Sequence, residues 1–263
     1  MTTPRLDPSI RAGWIKYNRD LEGIIPWPYL CFSLVWTVAI GVTPSKQQAY
    51  GYRWIVSATR QPATRADVDE AWDALNGLPV EAKQKVARGG AAAARKLVKI
   101  ELPADELERV TLERFDQFEV DMIRRYPALP SWPVEAQTVC MSIAWAAGTA
   151  AAFPKMYAAM GRGDWLTAAD ECYLRVDNPD GSRNEGLIPR NRRNRALLES
   201  LSARLGQTRT QAVDAVPDPA PTEEAPPDTD PMTDQQRREA LALVEATYEQ
   251  ASRDALADAF RSR

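Results

Sequence analysis

The sequence contains no histidine, and this absence removes several catalytic arrangements at once. Ser-His-Asp triads and Cys-His pairs both need an imidazole base, and histidine is a frequent ligand of zinc. An enzyme of this composition would therefore work with carboxylates, thiols, hydroxyls, lysine, arginine or tyrosine.

Cysteine is scarce, with only Cys31, Cys140 and Cys172 in the chain. An odd number of widely spaced cysteines does not form a disulfide framework. Cys140 lies in an apolar helical pattern and Cys172 in an alanine-rich one. We therefore expect both to be buried as small hydrophobic residues.

Long hydrophobic runs are also missing. The longest, 29–42, has about 14 residues, whereas a helix needs about 20 to cross a bilayer. The first residues lack the basic and apolar regions of a secretory leader. The sequence thus predicts no stable membrane insertion and synthesis in the cytoplasm without a signal peptide, with delivery by other means.

Charge of one sign does not dominate either. The sequence has 33 Lys and Arg and 36 Asp and Glu, for a net charge of −3. This balance gives no global attraction to nucleic acid. The segment 183–195 is rich in arginine, but we interpret it as a solvated helix face with ion pairs. We therefore predict no nucleic-acid partner.

The 263 residues, of which 44% are hydrophobic, suit one sizeable domain with an appendage. We predict a folded domain over 1–205, then a linker rich in Pro and acidic residues over 206–232. A last helix is predicted over 233–263. It either docks back on the domain or binds a partner or a second copy of the chain, and the sequence leaves both open.

Local signals predict a mainly helical α+β domain. Asp7 as N-cap, Pro8 and a stop at Gly23 predict a helix over 8–22. A β-strand or hairpin is predicted over 29–41 and a loop over 44–63. Helical patterns then follow almost to the end of the domain. Five predicted helices have both bounds: 64–76, 133–147, 154–160, 164–174 and 189–204. Three more begin after Pro79, Gly90 and Pro103.

Glu22, Cys31 and Thr37 form the candidate catalytic set. Glycoside hydrolysis needs a protonated acid on one side of the bond and a group that activates water on the other. The end of a helix carries partial negative charge, which favours a protonated Glu22. Nearby Ile24, Ile25 and Trp27 would favour it further by excluding water.

The spacing of these residues resembles the phage-type lysozyme family, in which Glu, eight residues, Asp or Cys, five residues and Thr follow one another. A second stretch, 132–174, resembles the family's C-terminal lobe through Gly148, Phe153 and the Gly-Asp-Trp segment that starts at Gly163. The stretch 186–198 resembles its arginine-rich closing helix. The resemblance covers about 8–204.

This resemblance implies a lysozyme-like fold with a small β-hairpin lobe and a larger helical lobe. It implies a muramidase that cuts the β-1,4 bond between N-acetylmuramic acid and N-acetylglucosamine without a cofactor, and that is associated with a phage or an injection system. Glu22 would be the acid, Cys31 would activate or position water or stabilise developing positive charge, and Thr37 would help hold that water. Arg192 is the candidate for the family's arginine near the glutamate and would bind substrate.

Leu34 and Ala39 depart from this family, which has glycines at those places. A non-glycine residue with a positive φ is strained, so the sequence predicts a differently shaped hairpin. These two residues, together with Cys31, favour an alternative in which the module binds peptidoglycan, or forms part of a virion or injection particle, without cutting. Glu22 and Thr37 favour the enzyme.

Overall fold

The computed structural model describes residues 4–31, 33–177 and 184–207. All of them belong to one compact unit, Met1–Ala215. The predicted helix over 233–263 and almost all of the predicted linker, 206–232, lie outside the described residues. The proposed domain boundary at 205 therefore stays a prediction.

Helices make up most of this unit, and two short antiparallel sheets complete it. The strands are β1 Ile25–Leu30, β2 Trp36–Ala39, β3 Ile55–Val56 and β4 Ile100–Glu101. The α-helices are α1 Pro8–Glu22, α2 Lys46–Tyr50, α3 Arg65–Asn76, α4 Val80–Arg88, α5 Gly90–Arg95, α6 Ala104–Arg125, α7 Val134–Ala147, α8 Pro154–Gly161, α9 Trp165–Glu171 and α10 Leu187–Arg204.

Helix α1 begins and ends where its capping residues predict. The Asp7 carboxylate accepts the backbone N–H of Ser9 at 2.9 Å, which satisfies a free donor of the first turn. Gly23 has a positive φ of 70°, and its N–H donates to the carbonyl of Arg19. The helix therefore stops directly after Glu22 and leaves that side chain at its C-terminal end.

Strands β1 and β2 form the predicted hairpin, although β1 begins at Ile25 rather than at Tyr29. Ile25 pairs with Ala39 and Tyr29 with Thr37, with an irregularity between the two pairs. Pro26 and Pro28 lie inside β1. On the outer edge of β1, the Pro26 carbonyl accepts a hydrogen bond from the backbone N–H of Leu102 at 2.7 Å. The prolines are tolerated because this edge needs no N–H from them.

The predicted loop over 44–63 contains a short helix and a short strand. Ser45 and Gln48 form a reciprocal capping box that opens α2, a recognised sequence signal of a helix start. Strand β3 pairs with β4, with Val56 opposite Ile100. Both strands are two residues long, too short to produce an alternating pattern in the sequence.

Two hydrophobic cores define two lobes. We use small lobe for the part around the hairpin, α2–α5 and the start of α6, with buried Trp36, Trp54 and Leu75. The helical lobe packs α1, the rest of α6 and α7–α10 around Trp14, which is fully buried.

Helix α6 joins the lobes because it contributes to both cores. Leu107 and Val110 pack in the small lobe, whereas Phe115 and Met122 pack in the helical lobe. Trp145 on α7 contacts both cores, and its Nε1 donates to the carbonyl of Ile40 at 2.9 Å. The two lobes therefore meet along one long helix and one tryptophan.

The predicted architecture, a mainly helical α+β fold with a small hairpin part and a larger helical part, is confirmed. Cys140 and Cys172 are buried, as predicted. Within the described ranges, no helix is both long enough and apolar enough to cross a membrane.

Candidate active site

A cleft of about 510 Å³ lies between the two lobes. Glu22, Cys31 and Thr37 all line it, so the fold brings the three predicted residues together. The other lining residues are Leu21, Tyr29, Ser33, Gly41, Thr43, Arg114, Phe118, Trp145, Ala146, Gly148, Asn184, Gly186 and Leu187.

Glu22 enters the cleft from the end of α1. Its side chain is 29% exposed, and its Oε1 accepts a hydrogen bond from Nη2 of Arg190. Its second oxygen, Oε2, lies over Gly41, where an added Cβ would be 4.0 Å away. One oxygen is thus fixed by a guanidinium, and the other lies beside the end of the hairpin.

Arg190 is the arginine beside Glu22, and it is only 1% exposed. Its Nη1 donates to the carbonyl and the Oγ of Ser142, at 3.0 and 2.9 Å, and its Nη2 to Oδ1 of Asn18 at 3.1 Å. It therefore ties α10 to α1 and α7 directly behind the Glu22 carboxyl group.

Arg192, which the sequence suggested for this place, does not line the cleft. It is exposed and lies in a separate hollow beside Tyr173 and Arg195. The expected neighbour of the glutamate is therefore corrected from Arg192 to Arg190. A role of Arg192 in substrate binding stays a prediction.

Cys31 and Thr37 reach the cleft through the hairpin. Cys31 is half-buried, and its backbone N–H donates to the carbonyl of Val35. The Thr37 hydroxyl donates to the same carbonyl at 2.8 Å, and the residue is only 1% exposed. Thr37 is therefore part of the cleft wall, and its hydroxyl hydrogen is already engaged.

Leu34 and Ala39 both have a φ of 59°. The prediction that the hairpin is shaped so that Leu34 avoids the conformation favoured by glycine is therefore wrong. A non-glycine residue in this region costs about 1–2 kcal/mol. Both side chains pack in the small-lobe core, where Ala39 is fully buried. Full burial of Ala39 and partial burial of Leu34 oppose the cost of the strained turn.

The apolar wall around Glu22 differs from the predicted one. Trp27 lies elsewhere, because its Nε1 donates to the carbonyl of Ala91 and the Arg95 guanidinium lies over its ring. Tyr29 and Trp145 line the cleft instead. Burial, followed by the nearby charges of Glu22 and Cys31, raises the pKa of Tyr29 well above its ordinary value. Tyr29 therefore presents a neutral phenol to the cleft.

The cleft combines one carboxyl group at a helix end with a thiol, a hydroxyl and a phenol on the hairpin. A carboxyl group can donate a proton to a leaving oxygen, and a thiolate can orient or deprotonate water. Glu22 stands on the helical side of the cleft and Cys31 on the hairpin side, and glycoside hydrolysis uses groups on both sides of the bond.

Comparison with known proteins gives little further information. No family model matches the sequence, and no curated protein matches it. Among solved structures, the chain is similar to one titled "Crystal structure of active form of P1 phage endolysin Lyz". The two chains are 15% identical, the match covers 76% of this chain and 97% of that one, and the TM-score is 0.39. A likeness of this degree assigns the chain to no family.

Proposed function

We propose that this protein is a peptidoglycan hydrolase of the muramidase type, which cleaves the β-1,4 bond between N-acetylmuramic acid and N-acetylglucosamine. The observation that carries the proposal is the meeting of Glu22, Cys31 and Thr37 in one cleft between two lobes. These residues stand at the spacing of the phage-type lysozyme pattern.

In this mechanism Glu22 protonates the leaving glycosidic oxygen, and Arg190 keeps its carboxyl group in place. Water attacks from the hairpin side, where Cys31 activates it and the Thr37 oxygen accepts a hydrogen bond from it. Tyr29 is a neutral neighbour that supplies a further polar contact. A protein with this activity would reach the cell wall with a phage, a virion or an injection apparatus.

Digestion of purified peptidoglycan, with the soluble products read by mass spectrometry, tests this proposal. We expect fragments that end in reducing N-acetylmuramic acid. Fragments ending in reducing N-acetylglucosamine would show cleavage of the other glycosidic bond. A 1,6-anhydro end would show that the sugar's own hydroxyl replaces water as the nucleophile. Either product would contradict the proposed reaction.

Alkylation of the native protein tests the role of Cys31. Burial raises the pKa of Cys172 to about 11 and that of Cys140 further, so neither thiol ionises near neutral pH. Cys31 is half-buried and lines the cleft. We therefore expect iodoacetamide at pH 8 to label Cys31 alone and to abolish peptidoglycan release.

A Cys31→Ser variant serves as the control, since it should take up no label and keep the activity that it has before treatment. Labelling of Cys140 or Cys172 in the folded protein would contradict the burial that the structure gives them. Full labelling of Cys31 without loss of peptidoglycan release would remove it from the mechanism.

A second candidate function is a module that binds peptidoglycan without cutting it. The burial of Thr37 and the engagement of its hydroxyl by Val35 favour this candidate. A folded wild-type protein that sediments with peptidoglycan but releases no fragments between pH 5 and 9 would establish it.

A further inference from the structure

A second hollow lies on the face of α6, next to the cleft. This hollow of about 220 Å³ is lined by Gln48, Tyr52, Glu113 and Gln117, among others. Thr43 and Arg114 line both the hollow and the cleft, so the two spaces adjoin. A side branch of a polymer bound in the cleft would pass Thr43 and Arg114 to enter the hollow.

Arg114 is a half-buried cation at this junction. Its guanidinium carbon lies 4.4 Å from the centre of the Phe118 ring, and its Nη1 donates to Oε1 of Gln117 at 3.2 Å. Burial lowers the pKa of Arg114 from its usual value, but an arginine remains charged near neutral pH. Stacking on Phe118 holds the planar group in place.

No carboxylate of the described residues forms an ion pair with Arg114, whereas Arg109 on the same helix pairs with both Glu106 and Glu113. The Asp121 carboxylate acts on Arg114 only through space, without an ion pair, so partial burial of this charge still costs free energy. A guanidinium has five donors arranged in a fork that matches a carboxylate. An anionic ligand group at this junction would remove that cost.

We propose that Arg114 binds a carboxylate carried by the substrate, and that the hollow receives the acidic side branch of the glycan. This inference rests on the proposed function, because the glycan of peptidoglycan carries a lactyl group and a stem peptide on alternate sugars. Arg114 thereby selects glycans with acidic branches over neutral ones. The carboxylate belongs either to the stem peptide or to the lactyl group.

Binding of soluble glycan fragments measures this selection. Three preparations are compared: fragments with intact stem peptides, fragments stripped by an amidase so that the lactyl carboxylate is free, and fragments whose carboxylates are amidated with carbodiimide. The protein carries Glu22→Gln so that the fragments are not cut, with Arg114→Gln or Arg124→Gln added. Arg124 is the matched control, because it is exposed on the same helix.

We expect Arg114→Gln to weaken binding about tenfold for the one preparation, intact or stripped, that carries the carboxylate bound by Arg114, and to leave binding of amidated fragments unchanged. Arg124→Gln should change neither. A loss confined to intact fragments places the carboxylate on the stem peptide, and a loss confined to stripped fragments places it on the lactyl group. An equal loss on amidated fragments, or no loss on any fragment, would overturn the inference.

Hydrolysis of peptidoglycan by the protein without Glu22→Gln is measured in parallel. If it cuts while Arg114→Gln changes no binding constant, this inference fails and the proposed function stands. If it does not cut but binds carboxylates through Arg114, the proposed function fails and this inference stands. Absence of binding to every fragment, without cutting, would overturn both.

Discussion

Replacement of Arg190 by methionine is expected to lower the free energy of unfolding by about 3–5 kcal/mol, because it removes the donor from a buried charged network. The Ser142 hydroxyl and the Asn18 side chain are fully buried, and each would lose its bond from Arg190. Water cannot easily reach them there. Glu22 would lose the contact that fixes Oε1, so any hydrolytic rate should fall as well.

Urea unfolding of the Arg190→Met variant measures this loss of stability, with the Arg192→Met variant as the control. Both substitutions lie on α10, but Arg192 is exposed, so its replacement should change stability by less than about 0.5 kcal/mol. Arg190→Lys should recover part of the loss, since an ammonium keeps the charge but cannot reach all four acceptors. A change below about 1 kcal/mol for Arg190→Met would contradict the buried network.

Replacement of Glu106 by glutamine is expected to lower the free energy of unfolding by about 2 kcal/mol at pH 7. The Glu106 carboxylate is fully buried. It accepts from Nε and Nη2 of Arg109, at 3.0 and 2.6 Å, and from the backbone N–H and Nε of Arg53, at 3.0 and 2.8 Å. It thus attaches the loop before β3 to α6.

The contribution of Glu106 to the free energy of unfolding decreases as the pH falls. The hydrogen bond from Arg109, followed by those from Arg53, lowers the pKa of Glu106 to about 2 from 4.5. A carboxyl group with a lowered folded pKa stabilises the protein above its unfolded pKa and ceases to do so as the pH falls through the folded one. The stability difference between wild type and Glu106→Gln should therefore shrink between pH 4.5 and pH 2.

Denaturant unfolding at pH 7 and pH 3 tests this, with Glu113→Gln as control. Glu113 lies on the same helix and also contacts Arg109, but its side chain is 54% exposed. Its replacement should cost less than about 1 kcal/mol. A Glu106→Gln effect that is equal at both pH values would show that lost packing, rather than lost charge, is responsible.

Local signals predict most of the helices because each signal acts within a few residues. Asp7 and Gly23 mark the two ends of α1, and Thr64 caps α3 through a reciprocal bond with Asp67. The same kind of signal, Ser45 with Gln48, lies at the start of α2, although that segment is predicted above as a loop. The pairing of β3 with β4 joins residues far apart in the chain, so no local pattern predicts it.

The candidate site likewise has one part that local sequence predicts and one part that depends on residues far apart in the chain. The spacing predicts that Glu22, Cys31 and Thr37 line one cleft, because a helix end and the hairpin after it are neighbours along the chain. Arg190 comes from α10, and its place depends on which face of that helix packs inward. Leu201, Leu198 and Asn194 are buried on one face of α10. Residues three or four positions apart share a helix face. Arg190, four residues before Asn194, lies on this face, whereas Arg192 does not. This stripe was present in the sequence.

Leu34 and Ala39 show where a local rule fails. The rule that positive φ values belong to glycine is correct for an isolated turn. In this hairpin both side chains pack in the small-lobe core, and that burial is a tertiary effect that no short segment reveals. The shape of the turn could therefore not be predicted from its residues alone.

The rate at which Glu22→Gln releases fragments from purified peptidoglycan, relative to wild type, tests the central claim most directly. Glutamine keeps the size of the side chain but has no acidic proton to donate. The expected result is a loss of at least about 10³-fold, while Asp20→Asn, an exposed change near the same helix end, keeps the wild-type rate. A folded Glu22→Gln protein that releases the same fragments at the wild-type rate would contradict the proposed mechanism.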